Sequence, residues 1–156
     1  MSGDGNGWAI CNLGHRHWGR FGAAGILLTD GVRVVLQYRA RWTHEGGTWA
    51  LPGGARDSHE DPVAAALREA VEETTLDVTQ VTPFDEWVDE HGGWSYTTVL
   101  ARTAHAVDLS PANEESDAVR WWSLDEVTGL PLHSGFAAAW PHLRERLPDS
   151  GATDHR

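Results

Sequence analysis

The chain has 156 residues, of which 40% are hydrophobic and 22% charged, a composition typical of one folded domain with a single core. Its formal net charge is −11 and it contains no lysine. We therefore expect no nucleic-acid polymer as a partner, because polymer binding needs clustered basic charge, whereas a small anionic substrate stays possible. The longest apolar run, Ala23–Leu28, is too short to cross a membrane, and Met1–Gly7 does not resemble a secretory signal. The single cysteine, Cys11, cannot form an internal disulfide and is compatible with the cytoplasmic location that we expect.

Hydrophobic periodicity and turn residues predict the strands in chain order. Residues 1–19 are expected to form an irregular N-terminal arm. Two strands, Gly22–Leu28 and Arg33–Arg39, are joined by a turn with an Asp-Gly pair, and a short strand at Thr48–Leu51 ends at Pro52. The later strands are predicted over Val78–Val88, Trp94–Ala106 and Val119–Ser123, with an acidic loop at Asp108–Asp117.

Two helices are predicted within this run of strands. The first extends from Pro62 to Thr74, with Asp61 as N-cap and proline at the first helical position. The second, Gly135–Leu147, is amphipathic and is followed by a flexible tail over 148–156. This order of elements predicts one domain, 1–156, with the architecture of a mixed α/β sandwich. The apolar face of the first helix is predicted to contain Val63, Ala66, Leu67, Ala70 and Val71.

Three glutamates share one side of the first predicted helix. Glu69 lies beside Glu72 at i+3 and Glu73 at i+4, spacings at which like charges repel. A solvated acidic surface is one interpretation, and a metal site is the other, because Mg²⁺ prefers oxygen ligands and commonly takes one or two carboxylates together with substrate phosphates. Arg68 can pair with Glu72 and orient carboxylates, and the pair Gly53-Gly54 lets backbone atoms approach a metal or a phosphate.

The complete spacing of this segment resembles the Nudix box. Gly54 is followed after five residues by Glu60, and after seven more by Arg68-Glu69, with Glu72-Glu73 completing the acidic set. One position differs, because the late glycine of the box is Thr75 here, which concerns the loop after the helix rather than the glutamates. The resemblance implies the Nudix fold, an α/β/α sandwich with a mixed sheet. It also implies hydrolysis of a nucleoside diphosphate linked to a group X, with Mg²⁺ or Mn²⁺ as cofactor.

The resemblance implies which groups hold the metal. Glu72 and Glu73 would be the main ligands, and the backbone carbonyl of Gly53 would add another. Glu69 would bind the metal directly or through water, or help to activate the attacking water. A carboxylate from a further loop often completes such sites, and Glu115 is the first candidate here.

Supporting roles follow from the same resemblance. Arg68 would orient the carboxylates, and Glu60 would stabilise the surroundings of the metal ligands. Glu114 is the second candidate for the additional loop carboxylate. A solvated loop charge is the alternative interpretation of both Glu114 and Glu115.

The resemblance extends over roughly Trp18–Leu143. The segments 17–25, 47–60 and 130–136 are similar to those of actinobacterial MutT-type proteins. Those proteins are associated with the removal of oxidised guanine nucleotides such as 8-oxo-dGTP, which would yield a nucleoside monophosphate and pyrophosphate. One alternative substrate is ADP-ribose or a nucleotide sugar. A Nudix-fold binding module without catalysis is the alternative of another class, and it predicts damaged metal ligands, whereas these are intact.

The substrate contacts are the least determined part of the site. His133 and Ser134 occupy the loop before the last helix, where MutT-type enzymes read the purine. Stacking on an aromatic ring is a second way to hold a base, with core packing as the alternative for each ring. The remaining candidates are Phe21, Trp49 and Trp94 for the base, and Arg39, Arg41 and Gly54 for the phosphates.

A smaller cluster, Cys11, His15 and His17, loosely suggests a soft-metal site, but its spacing lacks a clear fourth ligand. We therefore do not favour zinc. The sequence does not determine the oligomeric state.

Overall fold

The computed structural model describes residues 4–11, 14–104, 107–114 and 116–148. Two helices and two sheets form this part of the chain. The helices are α1 (Pro62–Glu73) and α2 (Ser134–Arg146). The strands are β1 (Trp8–Ile10), β2 (Arg16–Trp18), β3 (Ala23–Thr29), β4 (Arg33–Arg39), β5 (Trp49–Ala50), β6 (Gly53–Ala55), β7 (Thr82–Glu90), β8 (Ser95–Arg102) and β9 (Ser116–Ser123).

The main sheet has seven strands and is mixed. Its path runs β5-β4-β3-β8-β7, while β6 pairs with β3 and β9 pairs with β4. Strand β3 is parallel to β8 and antiparallel to β6, and the other neighbours are antiparallel. Strand β1 pairs with β2 in a separate two-stranded sheet.

Helices cover the main sheet on both faces. Every residue of β3 is buried, because alternate side chains point to opposite faces and each face carries a helix. Ile26 packs in the core beneath α1, and Leu27 packs in the core beneath α2. The predicted α/β/α sandwich with a mixed sheet is therefore confirmed. Among the described residues, none of the helices is long and apolar enough to cross a membrane.

Helix α1 begins as predicted, but its buried face is rotated. The Asp61 carboxylate accepts a hydrogen bond from the Ala64 amide at 2.7 Å, and Pro62 starts the helix. Val71, predicted to face the core, is 46% exposed, whereas Ala65 and Glu73 are buried. Alanines allow the helix to approach the sheet closely, and this rotation brings its glutamates to the edge of β6.

The N-terminal segment is more ordered than predicted. Residues 4–11 and 14–18 are not an irregular arm, because β1 and β2 form a hairpin whose register joins Trp8 to Trp18. The Gly5 amide donates to the Asp57 carboxylate at 2.8 Å, which ties this segment to the main domain. The arm was predicted as irregular because its strands are only three residues long and lack a clear alternation.

Several other boundaries differ from the prediction. The strand predicted to end at Pro52 continues after it as β6, since Gly53 and Gly54 pair with Gly25 and Ala24. A 3₁₀ turn at Val78–Gln80 replaces the start of the predicted Val78–Val88 strand. A 3₁₀ segment follows β9 over Leu124–Gly129. Most of the predicted tail, residues 149–156, lies outside the described residues.

Candidate active site

The glutamates of α1 meet β6 at one edge of the sheet. Gly54 lies against the Glu69 carboxylate so closely that a Cβ atom at Gly54 would overlap it. A side chain at position 54 would therefore require the Glu69 carboxylate to move. The diglycine backbone therefore lies beside the acidic cluster, and its approach to a metal or a phosphate stays a prediction.

Arg68 connects the carboxylates around this edge. Its Nε donates to Glu60 Oε2 at 2.6 Å and its Nη2 to Glu60 Oε1 at 2.9 Å, which is a two-bond fork. Its Nη1 donates to Glu69 Oε2 at 2.8 Å and to Glu72 Oε1 at 3.2 Å. The hydrogen bonds from Arg68 lower the pKa of Glu60, and those to Glu60 and Glu69 raise the pKa of Arg68. Arg68 thus fixes three carboxylates at once.

Glu73 is the most enclosed of the acidic side chains of α1. It is only 8% exposed, and its Oε1 accepts hydrogen bonds from the Gly53 amide at 3.0 Å and from Gln37 Nε2 at 3.2 Å. Burial raises the pKa of Glu73 well above its usual range, and the charge of Glu69 raises it further. Burial likewise raises the pKa of Glu69. Two crowded carboxylates with these environments fit a divalent cation, which would neutralise both.

A second acidic group lies behind the first. Ligand atoms of Asp57, His59 and Glu60 fall within 4.8 Å of one another. Their oxygens already accept donors, since Arg68 binds both oxygens of Glu60 and Gly5 binds Asp57. We therefore assign this group to the support of the glutamates of α1 rather than to a separate metal.

An open cleft of about 630 Å³ begins at these glutamates. Gln37 and Arg39, from neighbouring positions of β4, lie along it. The buried Gln37 Oε1 has no hydrogen-bond partner among the described residues. The other wall comes from distant parts of the chain and consists of Asn6, Trp18, Trp42, Thr43 and His44.

The structure separates the predicted substrate contacts into two groups. Arg39 and Gly54 line the cleft. Trp49 and Trp94 do not offer open stacking surfaces, because Trp49 is 8% exposed within the core and Trp94 packs flat against His17. Phe21 and Arg41 are exposed. Core packing, the alternative interpretation, is therefore the one that the structure favours for both tryptophans.

His133 and Ser134 stand at the start of α2 and bind a neighbouring loop. The carboxylate of Glu45 accepts hydrogen bonds from the Ser134 amide at 2.8 Å and from its hydroxyl at 2.7 Å. His133 Nε2 lies 3.2 Å from the same carboxylate. These side chains are thus engaged with the protein. The ring of His44, which lines the cleft, has its centroid 6.5 Å from that of the His133 ring.

The loop after α1 explains the departure at Thr75. The Thr75 amide donates to the Ser110 carbonyl at 3.1 Å, and the Thr75 hydroxyl accepts from the Ser110 amide at 3.1 Å. Among the described residues, positive φ at a non-glycine position occurs only at Glu45, so Thr75 requires no glycine conformation. The side chain of Thr75 instead fastens the loop to the segment 107–112.

The segment containing the predicted loop carboxylate passes the end of α1. The Ala112 amide donates to the Glu73 carbonyl at 3.0 Å, and Asn113 Nδ2 donates to the Glu72 carbonyl at 3.2 Å. Glu114 is exposed, and Glu115 lies outside the described residues. The role of Glu115 stays a prediction.

Gln37 and Tyr96 were missed by sequence reasoning. A glutamine within the apolar strand RVVLQYR is a detectable signal, since a buried amide must find a partner. The Tyr96 hydroxyl lies close to Gly25 and Gly53, and burial raises its pKa, with further effects of Glu73 and Glu69. No local pattern connects Tyr96 to the acidic helix, because the parallel pairing of β3 and β8 brings it there.

The disfavoured soft-metal cluster has a packing role. Cys11 is buried, and the His17 ring stacks on Trp94 with 4.2 Å between centroids. Burial lowers the pKa of His17. The candidate metal-binding group among the described residues does not include Cys11, His15 or His17.

Comparison with known proteins decides the family. The model of the NUDIX domain matches residues 19–144, which is most of the chain. The chain belongs to the Nudix hydrolase family. The segment Gly54–Leu76, which resembles the Nudix box, lies inside the matched domain, with Thr75 at the late glycine position.

Individual Nudix proteins are similar over nearly the whole chain. A Mycobacterium tuberculosis protein named, provisionally, 8-oxo-dGTP diphosphatase 3 is 49% identical over 92% of this chain and 71% of its own length. A Bifidobacterium longum nucleoside triphosphate pyrophosphatase/Nudix hydrolase fusion protein is 38% identical over 93% of this chain and 32% of its own length. The crystal structure of RenU, a Nudix hydrolase from M. smegmatis, superposes with a TM-score of 0.85 and 47% identity, covering 97% of this chain and 98% of that one.

Proposed function

We propose that this Nudix protein is a nucleoside triphosphate pyrophosphohydrolase of the MutT type, which releases a nucleoside monophosphate and pyrophosphate in the presence of Mg²⁺ or Mn²⁺. One observation carries the proposal: Glu73 is buried beside Glu69 and is held by Gly53 and Gln37, a costly arrangement without a cation. The name of the M. tuberculosis relative makes 8-oxo-dGTP the first substrate to test.

The glutamates of α1 and Arg68 have different roles in this proposal. Glu72, Glu73 and the Gly53 carbonyl would hold the cation, and Glu115 is the further candidate ligand. When bound, Mg²⁺ supplies neutralisation of the pyrophosphate and a water of lowered pKa. Glu69 accepts the proton of the attacking water as general base, and Arg68 keeps Glu69 and Glu72 in position.

The polyphosphate would bind in the cleft. Arg39 offers a guanidinium to the phosphates, and the backbone at Gly54 allows their close approach. Water attacks phosphorus in line and no covalent enzyme intermediate forms, so Cys11 has no chemical role. The proposed partner is a small nucleotide rather than a nucleic-acid polymer or a membrane, and the cytoplasm is the proposed location.

A substrate screen tests the proposal. Purified protein with Mg²⁺ or Mn²⁺ is offered 8-oxo-dGTP, the ordinary dNTPs, ADP-ribose, a nucleotide sugar and dinucleoside polyphosphates, and the products are separated by ion-exchange chromatography. We expect the triphosphates to give the monophosphate and pyrophosphate, with the highest kcat/KM for 8-oxo-dGTP. Preference for ADP-ribose or a nucleotide sugar would overturn the substrate assignment while leaving the chemistry intact. Absence of hydrolysis with all of them would favour a binding module.

A further inference from the structure

We infer that the base of the nucleotide binds between two exposed tryptophans, Trp18 of the β1–β2 hairpin and Trp42 of the loop between β4 and β5. This inference rests on the proposed hydrolysis of nucleotides and adds the part of the site that recognises the base. We call this part of the cleft, lined by Asn6, Trp18, Trp42, Thr43 and His44, the aromatic wall.

Exposure distinguishes these two rings from those with packing roles. Trp18 is 47% exposed and Trp42 is 69% exposed, whereas Trp49, Trp94 and Trp140 are buried. Both exposed rings line the same cleft as Glu69, Glu72 and Glu73. Large apolar side chains left open inside a polar cleft are typical of ligand sites, because the ligand supplies the missing burial.

The hairpin side of the aromatic wall is fixed relative to the glutamates. The Arg20 amide donates to the Gly5 carbonyl at 2.8 Å, and the Gly5 amide donates to Asp57, whose carboxylate is 3.8 Å from Arg68. Trp8 contacts Trp18 edge-on, with 5.3 Å between the ring centroids. Trp18 therefore stands on a scaffold whose hydrogen bonds reach Asp57, which is ion-paired with Arg68 beside the proposed metal site.

This half of the aromatic wall lies before the matched Nudix domain. The domain match begins at residue 19, whereas Asn6 and Trp18 precede it. Gly5 approaches the Arg56 carbonyl so closely that a Cβ atom would collide with it, which keeps the segment against the domain. One side of the cleft thus comes from a segment outside the residues that the domain model matches.

The loop side is held by Glu45. This residue adopts a positive φ of 51°, a strained conformation for a non-glycine residue, and its carboxylate accepts both hydrogen bonds from Ser134. Arg39 Nε donates to the His44 carbonyl at 2.9 Å, which joins the loop to β4, where Arg39 lines the cleft. The α2 terminus therefore acts on the cleft indirectly, by positioning the loop that carries Trp42 and His44.

The arrangement fits a ligand with a charged end and a flat aromatic end. Phosphates would lie at the glutamates and at Arg39, and the base would stack on the indoles of Trp18 and Trp42. The amide of Asn6 and the imidazole of His44 can reach polar atoms at the edge of the base. Since every base offers a π face, the rings supply affinity and the polar groups supply discrimination.

Binding measurements with paired ligands test the inference. Isothermal titration calorimetry with Mg²⁺ compares a non-hydrolysable dGTP analogue with methylenediphosphonate, which has the phosphonates but no base. We expect Trp18→Ala and Trp42→Ala each to weaken binding of the analogue by about tenfold and to leave methylenediphosphonate unchanged. Trp18→Phe and Trp42→Phe should retain most of the affinity. Ile10→Ala is the control, because Ile10 is 71% exposed on the same hairpin and does not line the cleft.

The outcomes separate this inference from the proposed function. Loss of analogue binding with retained methylenediphosphonate binding supports the aromatic wall as the base site. If both alanine variants bind the analogue as the wild type does, the base site is wrong and the proposed hydrolysis stands. If the wild type binds the analogue no more tightly than methylenediphosphonate, the chain does not recognise a base and both proposals fail. Melting curves of each variant confirm that it is folded.

Discussion

The two walls of the cleft are built in different ways. The acidic wall, formed by Gly53, Gly54, Arg68, Glu69, Glu72 and Glu73, takes its groups from α1 and from β6 before it. Arg68 binds Glu69 and Glu72 within this wall and Glu60 beside it. The aromatic wall combines the N-terminal segment with the loop after β4, and tertiary hydrogen bonds from Gly5 and Glu45 hold it. A short segment keeps the acidic groups in fixed relative positions, whereas segments from distant parts of the chain can differ without disturbing those groups.

The largest expected effect is a loss of kcat when a glutamate of the acidic wall is replaced. Glu73→Gln keeps the size of the side chain and removes its charge, so we expect kcat to fall on the order of a hundredfold or more, since metal-ion catalysis contributes several kcal/mol. Mg²⁺-dependent hydrolysis of 8-oxo-dGTP measures this effect. Glu86→Gln, an exposed change on β7, is the control. Full turnover by Glu73→Gln would contradict the proposed metal site.

Arg68→Lys tests whether the fork of Arg68, rather than its charge alone, organises the acidic wall. Lysine keeps the charge but cannot bind Glu60 through two parallel bonds while also reaching Glu69. We expect kcat to fall by roughly 10- to 100-fold, as is typical for partners of metal ligands, with a higher Mg²⁺ requirement. Arg120→Lys, at an exposed site on β9, should match the wild type. Unchanged Mg²⁺ dependence in Arg68→Lys would mean that charge alone is sufficient.

Glu45→Gln tests the positioning of the aromatic wall. The amide can keep one hydrogen bond to Ser134 but loses the charge that faces His133. We expect KM to rise by about threefold to tenfold, with kcat within about twofold, because a charge-assisted hydrogen bond contributes about 1.5–3 kcal/mol and only part of it is lost. Glu145→Gln on α2 is the matched control. A fall of kcat at constant KM would show that Glu45 acts on the chemistry instead.

The smallest effect is a pH dependence of stability in protein freed of metal by EDTA. Burial raises the pKa of Glu73 above 4.5 in the folded state. The contribution of Glu73 to the free energy of unfolding is therefore fully present below the unfolded-state pKa and is lost as pH rises through the folded-state pKa. Between about pH 5 and pH 8 we expect the Tm of the wild type to fall relative to Glu73→Gln by roughly 2–4 °C. Mg²⁺ should reverse the difference, since it binds only the folded protein. Parallel Tm curves for the two proteins would contradict the buried charge.

Local spacing determined much of the acidic wall in advance. The positions of Glu69, Glu72 and Glu73 follow from helical periodicity once Asp61 and Pro62 define the start of α1, and the structure bears out that cap. The fold class followed from the order of strands and helices, which the sheet topology confirms. These features depend on neighbours in the chain, so a sequence contains them directly.

Only the tertiary structure decided which groups surround that helix. Gln37 and Trp18 line the cleft, and the Tyr96 hydroxyl lies close to Gly53. Strand pairing and the contact of Gly5 with Asp57 place these side chains, and no local pattern specifies these contacts. The same packing buries Trp49 in the core and places His133 beside the Glu45 carboxylate. The sequence by itself thus determined the helix that carries the clustered glutamates, because periodicity is local. The folded chain decided what lies opposite it, because long-range contacts depend on the packing of the whole domain.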